Sequence, residues 1–184
     1  MTHQRDDAQA CARRRAVLGA LAGISVGGLV PVRSDAALHR LDWTPAREIV
    51  VEKARRQVIM YRSDGTVRVF PCVLGANPRG HKEREGDNRT PEGRYVIDFK
   101  NINSRFFLSV RVSYPNAHDR ARARAAGVRP GGNIMIHGMP NEARRPYRGL
   151  LTKDWTNGCV AVSNEAMMEI WLATRENTPV VLRA

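Results

Sequence analysis

The sequence predicts one mainly β domain with two short helices, preceded by a removable leader. Three observations carry that expectation. Short runs rich in Val, Ile, Thr and aromatic residues recur along the chain with turn signals between them. Only two stretches combine helical spacing with helix-boundary residues. The 184 residues suffice for one core and are too few for two ordinary domains. Apolar residues at 42% and charged residues at 26% exclude a disordered tail, a collagen-like repeat and a polytopic membrane protein. Three cysteines exclude a disulfide-stapled miniprotein.

Residues 1–36 read as an address. Ala16 to Val30 is an uncharged run of fifteen residues, bracketed by Arg13-Arg14-Arg15 and Pro31. A spanning helix needs about 20 apolar residues, and this run is shorter and carries four glycines. A basic start, a short apolar stretch and the small residues of Ser34-Asp35-Ala36 fit a secretory signal cleaved after Ala36 or Ala37. Arg14-Arg15-Ala16-Val17-Leu18 resembles a twin-arginine export signal. An uncleaved anchor and a buried helix are the competing readings. Cys11 precedes the apolar run, so it is not a lipoprotein's acylated cysteine. The working domain is expected over residues 37–184, in the periplasm or outside the cell.

Glu48 to Glu52, Gln57 to Tyr61 and Thr66 to Phe70 are expected as a three-stranded meander, the last two joined by the Ser63-Asp64-Gly65 turn. Further strands are expected at Arg94 to Phe99, Phe107 to Tyr114, Asn133 to His137, Cys159 to Ser163 and Pro179 to Arg183. Asn116 to Ala126 is expected to be helical and to stop at Gly127. Asn164 to Thr174 places Met167, Met168, Ile170 and Trp171 close to one face, with Ser163 or Asn164 as its cap. Two long polar loops remain, Gly75 to Arg89 and Gly138 to Asn157, and loops of that length tend to carry function.

The formal charge is +12, from 30 Lys+Arg against 18 Asp+Glu. Residues 37–184 alone keep 25 basic against 15 acidic residues, a net of +10. Such a surface suits nucleic acid, anionic lipid or a bacterial cell wall, and export argues against nucleic acid, so no nucleic-acid partner is expected.

Of the two cysteines beyond the leader, Cys72 reads as a small buried hydrophobe inside Val69-Phe70-Pro71-Cys72-Val73-Leu74. A disulfide to Cys159 is left open. Cys159 follows Gly158 at the start of a strand, where loop amides can face a developing oxyanion. A thiol needs a base before it attacks. His39, His81 and His118 read as solvated. His137 ends the apolar strand Ile134-Met135-Ile136 beside Gly138, 22 residues before Cys159. No third and fourth ligands recur at metal-binding spacing, so no metal or other cofactor is expected.

Ile136-His137-Gly138 followed by Thr156-Asn157-Gly158-Cys159 resembles the signature of the L,D-transpeptidase catalytic domain (YkuD) family. Thr90-Pro91-Glu92-Gly93-Arg94-Tyr95 resembles that family's segment before a central strand, and the likeness runs from Ile49 to Leu182. The resemblance implies a β-sandwich or partly closed barrel, and a cysteine enzyme acting on peptidoglycan stem peptides. It implies Cys159 as nucleophile, His137 as base, the Gly138 carbonyl holding the imidazole tautomer, and amides near Gly158 and Cys159 as oxyanion donors. Expected substrate contacts are Asn157, Arg89, Tyr114, Trp155 and Arg148, and a monomer is favoured.

Two departures bear on the reaction. In the family that the motifs resemble, members that make 3→3 cross-links usually carry a His where Asn157 stands and an Arg or Asn where Ala161 stands. The simpler pattern is similar to the YafK-like branch, which includes an amidase that detaches a wall-linked lipoprotein. The expected activity is transpeptidation, with L,D-carboxypeptidase or amidase hydrolysis as the alternative. A non-catalytic wall-binding module and a lipid-binding surface protein are the readings from other classes.

Overall fold

The computed structural model describes residues 44–142 and 147–184. The expected leader, with Cys11 and His39, lies outside them. Eight strands form in chain order: β1 (Ala46–Glu52), β2 (Gln57–Arg62), β3 (Val67–Val73), β4 (Gly93–Asn101), β5 (Ser109–Val112), β6 (Met135–His137), β7 (Val160–Val162) and β8 (Pro179–Arg183). Helix α1 spans Ala117–Ala125 and α2 spans Asn164–Ala173, and a 3-10 turn covers Tyr147–Leu151. Among the described residues no helix is long and apolar enough to cross a membrane.

The strands close into a barrel in the order β1-β2-β3-β7-β6-β5-β4-β8. Strand β8 completes it, pairing parallel with β1 (Ile49 opposite Val180) and antiparallel with β4 (Arg94 opposite Val181). Its Pro179 stands first in the strand, where a missing N–H is tolerated. Alternation sends Val180 and Leu182 inward, to join Ile49, Val51, Val58, Met60, Ile97, Val110, Val112, Ile136 and Val160 in the core. Each such side chain contributes about 1.5–3 kcal/mol. The β1-β2-β3 meander is antiparallel as expected.

Helix α1 starts at a capping box, Asn116 accepting from the Asp119 amide while Asp119 accepts from that of Asn116, and Gly127 follows it at φ +67. Ser163 caps α2 by accepting from the Ala166 amide at 3.2 Å. Met167 and Ile170 of α2 are buried, but Met168 is 41% exposed, because a step of one residue turns 100° away from the core. Strand β5 is shorter than the expected Phe107 to Tyr114. Phe107 sits at φ +62 and donates its amide to Asn141 Oδ1 at 2.8 Å, which takes it out of the ladder.

The loop 75–89 is packed rather than open. Asp87 is its hub, accepting from Lys82 Nζ and the Glu83 amide at 2.7 Å and from the Arg84 and Arg89 amides at 3.0 and 3.1 Å. Burial opposes the charged carboxylate, but these donors outweigh it and hold its pKa down at about 2. Lys53, 2% exposed, ties the loop to the barrel through Gly80 O at 2.6 Å, Thr90 O at 3.0 Å and Glu92 Oε1 at 2.7 Å.

Candidate active site

Strands β6 and β7 lie side by side and parallel, with Ile136 opposite Val160 and His137 opposite Ala161. Ile136 and Val160 fill the barrel, so His137 and Cys159 project from its outer face. Both line one cleft of about 650 Å³, with Asn101, Asn103, Ser104, Arg105, Phe106, Ser109, Asn133, Met135, Trp155, Thr156 and Asn157. Cys72 borders a separate groove behind β3, lined with Arg56 and Asp154 and holding no imidazole. Its thiol is buried, which pushes its pKa up to about 12.

His137 Nδ1 lies 2.7 Å from the Gly138 carbonyl, which can only accept; Nδ1 therefore carries the proton and Nε2 is free as a base. The Phe106 ring is 4.5 Å from the imidazole and the Trp155 ring 5.9 Å. Burial among them lowers the imidazole pKa below its ordinary value, against the opposing pull of the Gly138 carbonyl. Cys159 Sγ accepts from the Met135 amide at 3.4 Å and donates to Asn133 O at 3.5 Å. Burial pushes this thiol up as well, while the Met135 amide and the Lys82 charge pull it down. Burial thus disfavours the charged form of both groups.

The turn before Cys159 is built by Thr156. Its backbone bridges Gly75, and its Oγ1 donates to Cys159 O at 2.7 Å and accepts the Gly158 amide at 3.1 Å. The Gly158 amide, expected among the oxyanion donors, is therefore already committed. Thr156 was not among the expected site residues, although it stands in the quoted motif. Thr156→Val removes both bonds at a residue 4% exposed, a loss of about 1–3 kcal/mol. The midpoint of a thermal melt is expected to drop by several degrees, with Thr156→Ser close to the parent.

The remaining expected contacts divide. Asn157 and Trp155 line the cleft, Trp155 fixed through Nε1 to Leu150 O at 2.8 Å. Arg89 does not line it: its guanidinium bonds His81 O and Glu83, and only its backbone reaches Gly158. Tyr114 is 5% exposed and donates to Pro130 O at 3.0 Å, so it is a core residue and no substrate contact. The side chain of Arg148 lies outside the described residues. His81 is partly buried rather than solvated, 3.3 Å from Asp119. Ala161 is fully buried in an outer cluster with Val73 and Met139, under Leu150, Leu151 and Trp155, so that position does not face the cleft.

A disulfide between Cys72 and Cys159 does not fit. Cys72 pairs with Val162, three residues along β7 from Cys159, or about 10 Å of strand, against a Cα limit of about 7 Å. Both cysteines are free. Among the described residues no group of three His, Cys, Asp or Glu side chains forms a metal site.

The family model of the YkuD L,D-transpeptidase catalytic domain matches residues 46–182, the whole barrel but its last residue. The chain belongs to this family. Over 95 residues it is 30% identical to the Escherichia coli K12 protein named "Putative L,D-transpeptidase YafK", covering 50% of this chain and 30% of that one. Its fold is similar to that of the helical cell shape determining protein Pgp2 from Campylobacter jejuni, with TM-score 0.55 and 24% identity over 75% of this chain and 47% of that one. It is also similar to Bdellovibrio bacteriovorus Bd1075, with TM-score 0.51 and 22% identity over 76% and 48%. The chain therefore spans less than half the length of each of these proteins. Phe106 and Arg105, which this YkuD domain brings into the cleft from the β4–β5 loop, were not expected from the sequence. Their nearest signal is the pairing of Ser109 with His137, which carries that loop to the imidazole.

Proposed function

We propose that the protein is a cysteine acyltransferase acting on peptidoglycan stem peptides outside the cytoplasm, with Cys159 as nucleophile and His137 as base. The observation that carries the reading is the single cleft holding a partly exposed thiol and an imidazole whose Nδ1 is tied to Gly138 O. His137 Nε2 takes the thiol proton as Sγ attacks the carbonyl carbon at the L-centre of diaminopimelate. The oxyanion is received by the Cys159 amide, for which the described residues supply no acceptor. The C–N bond then breaks, the leaving amine takes the proton from His137, and a thioester remains. An acceptor amine, or water, next gives a proton to His137 and attacks; the C–S bond breaks and the thiolate is reprotonated. Exposed Asn157, a hydrogen-bonding group without a titratable proton, lines the same cleft.

The test is mass spectrometry of muropeptides after the protein is incubated with sacculi carrying bound lipoprotein, Cys159→Ala alongside. New 3→3 dimers identify a transpeptidase. Trimmed stems or released lipoprotein without dimers identify the hydrolase. Products that persist with Cys159→Ala overturn the assignment of the nucleophile.

A further inference from the structure

Among the described residues lining the Cys159 cleft, the only permanently charged side chain is that of Arg105. It is exposed and has no acidic partner within ion-pair distance among the described residues, unlike Arg56 with Asp154, Arg62 and Arg68 with Glu169, and Arg111 with Asp98. The backbone that carries it is fixed. Asn141 donates its amide to Arg105 O at 3.0 Å and its Nδ2 to Ser104 O at 2.9 Å, and accepts the Phe107 amide. The Phe106 amide bonds Ser104 Oγ at 3.0 Å, and the Gly138 amide is 3.1 Å from Phe106 O. The loop that presents the cation is thus pinned to the residue holding the imidazole tautomer. Beside the Cys159 thiol, the His137 imidazole and the Trp155 indole, the other polar lining groups are amides and hydroxyls, which suit a peptide backbone, so among the described lining residues Arg105 is the one fixed positive charge for a carboxylate.

We infer that Arg105 forms a carboxylate subsite at this cleft, gripping a free carboxylate of the stem peptide that donates the acyl group. This rests on the function proposed above and assigns the substrate's charge to a specific residue. A guanidinium takes a carboxylate through two parallel hydrogen bonds, so it both selects acid over amide and orients the peptide relative to Cys159. Three carboxylates are available on a tetrapeptide stem: those of isoglutamate, of diaminopimelate's side-chain centre, and of the terminal D-Ala.

The experiment measures binding of four synthetic stem tetrapeptides to the full chain carrying Cys159→Ala, by calorimetry. One peptide has every carboxylate free, and each of the others has one amidated. One amidated peptide is expected to bind about 10- to 100-fold more weakly than the free acid, which identifies the carboxylate. Adding Arg105→Ala is expected to weaken the free acid by a similar factor and that amide hardly at all, and Arg105→Lys to recover part of the loss. Equal losses for all four peptides, no loss, or no binding of any stem overturns the subsite. Turnover of sacculi by the parent protein is read separately: products there with no coupling at Arg105 leave the function standing and remove only this inference.

Discussion

Replacing His137 with Ala is expected to slow acylation of Cys159 by 10²- to 10⁴-fold, the range of general-base assistance, or about 3–5 kcal/mol of barrier. The resting protonation states give the expectation its shape. Burial lowers the imidazole pKa and raises the thiol pKa, which favours thiol and neutral imidazole over thiolate and imidazolium. The base form of His137 persists until the pH falls through its lowered pKa. Activity, read as kcat/KM, is therefore expected to stay level as the pH drops past 6.5 and to fall only below it. Alkylation of Cys159 by iodoacetamide, which reads the thiolate alone, is expected to be slow near neutrality and to climb through pH values above 9. An alkylation rate that levels off below pH 7 would show a preformed thiolate, the signature of a thiolate–imidazolium pair, and would overturn His137 as a general base acting on a neutral thiol. Cys159→Ser should be nearly inert, since a hydroxyl is harder still to deprotonate in the same partly buried setting.

The eight strands and both helices were legible because their signals are local: β-branched runs, Ser163 before α2, Gly127 after α1. Cys159 and His137 were legible as candidates because a glycine beside each marks a tight backbone at a strand end. Gly138 shows why: a Cβ there would lie 2.7 Å from Asn164 Oδ1 and 2.9 Å from Phe107 Cβ. What surrounds them depends on pairings between distant segments. Nothing local to Phe106 or Arg105 says that β5 lies against β6. Arg89 stands in a segment whose backbone does reach the nucleophile's turn, but its side chain leaves in the other direction, and adjacency in a motif does not fix that. Tyr114 could have been recognised, since Val110, Val112 and Tyr114 alternate inward along β5 and just beyond its end. The expectation that the loop 75–89 carries function, with Arg89 as a substrate contact, did not include Lys53 and Asp87 binding it down as the backing of the site.

That backing makes Gly158→Ala the most damaging small substitution expected. Gly158 lies at φ +122, which L side chains rarely adopt, and an added Cβ would sit 2.5 Å from Arg89 O and 3.2 Å from Ile134 Cδ1. The carbonyl cannot retreat cheaply, because the Arg89 amide is held by Asp87 and the next carbonyl, Thr90 O, by Lys53. Backbone strain of about 1–3 kcal/mol and overpacking of about 1–3 kcal/mol then fall on the residue that precedes Cys159. The turn must shift, and a displacement of about 1 Å at a reacting atom costs on the order of 10²-fold in rate. Three other glycines separate the causes. Gly65, at φ +86 with nothing within 4 Å, carries backbone strain alone; Gly75, 2.1 Å from Asn88 O, carries crowding alone; Gly149 carries neither. Alanine at Gly149 should leave both the melting temperature and the acylation rate unchanged, and at Gly65 it should lower only the former. Alanine at Gly75 should lower both, because that glycine bridges Thr156 and a Cβ there would also come within 3.0 Å of Gly158 Cα. A Gly158→Ala protein that melts and acylates like the parent would mean that the turn yields freely, and the rigid backing described for Cys159 would be wrong.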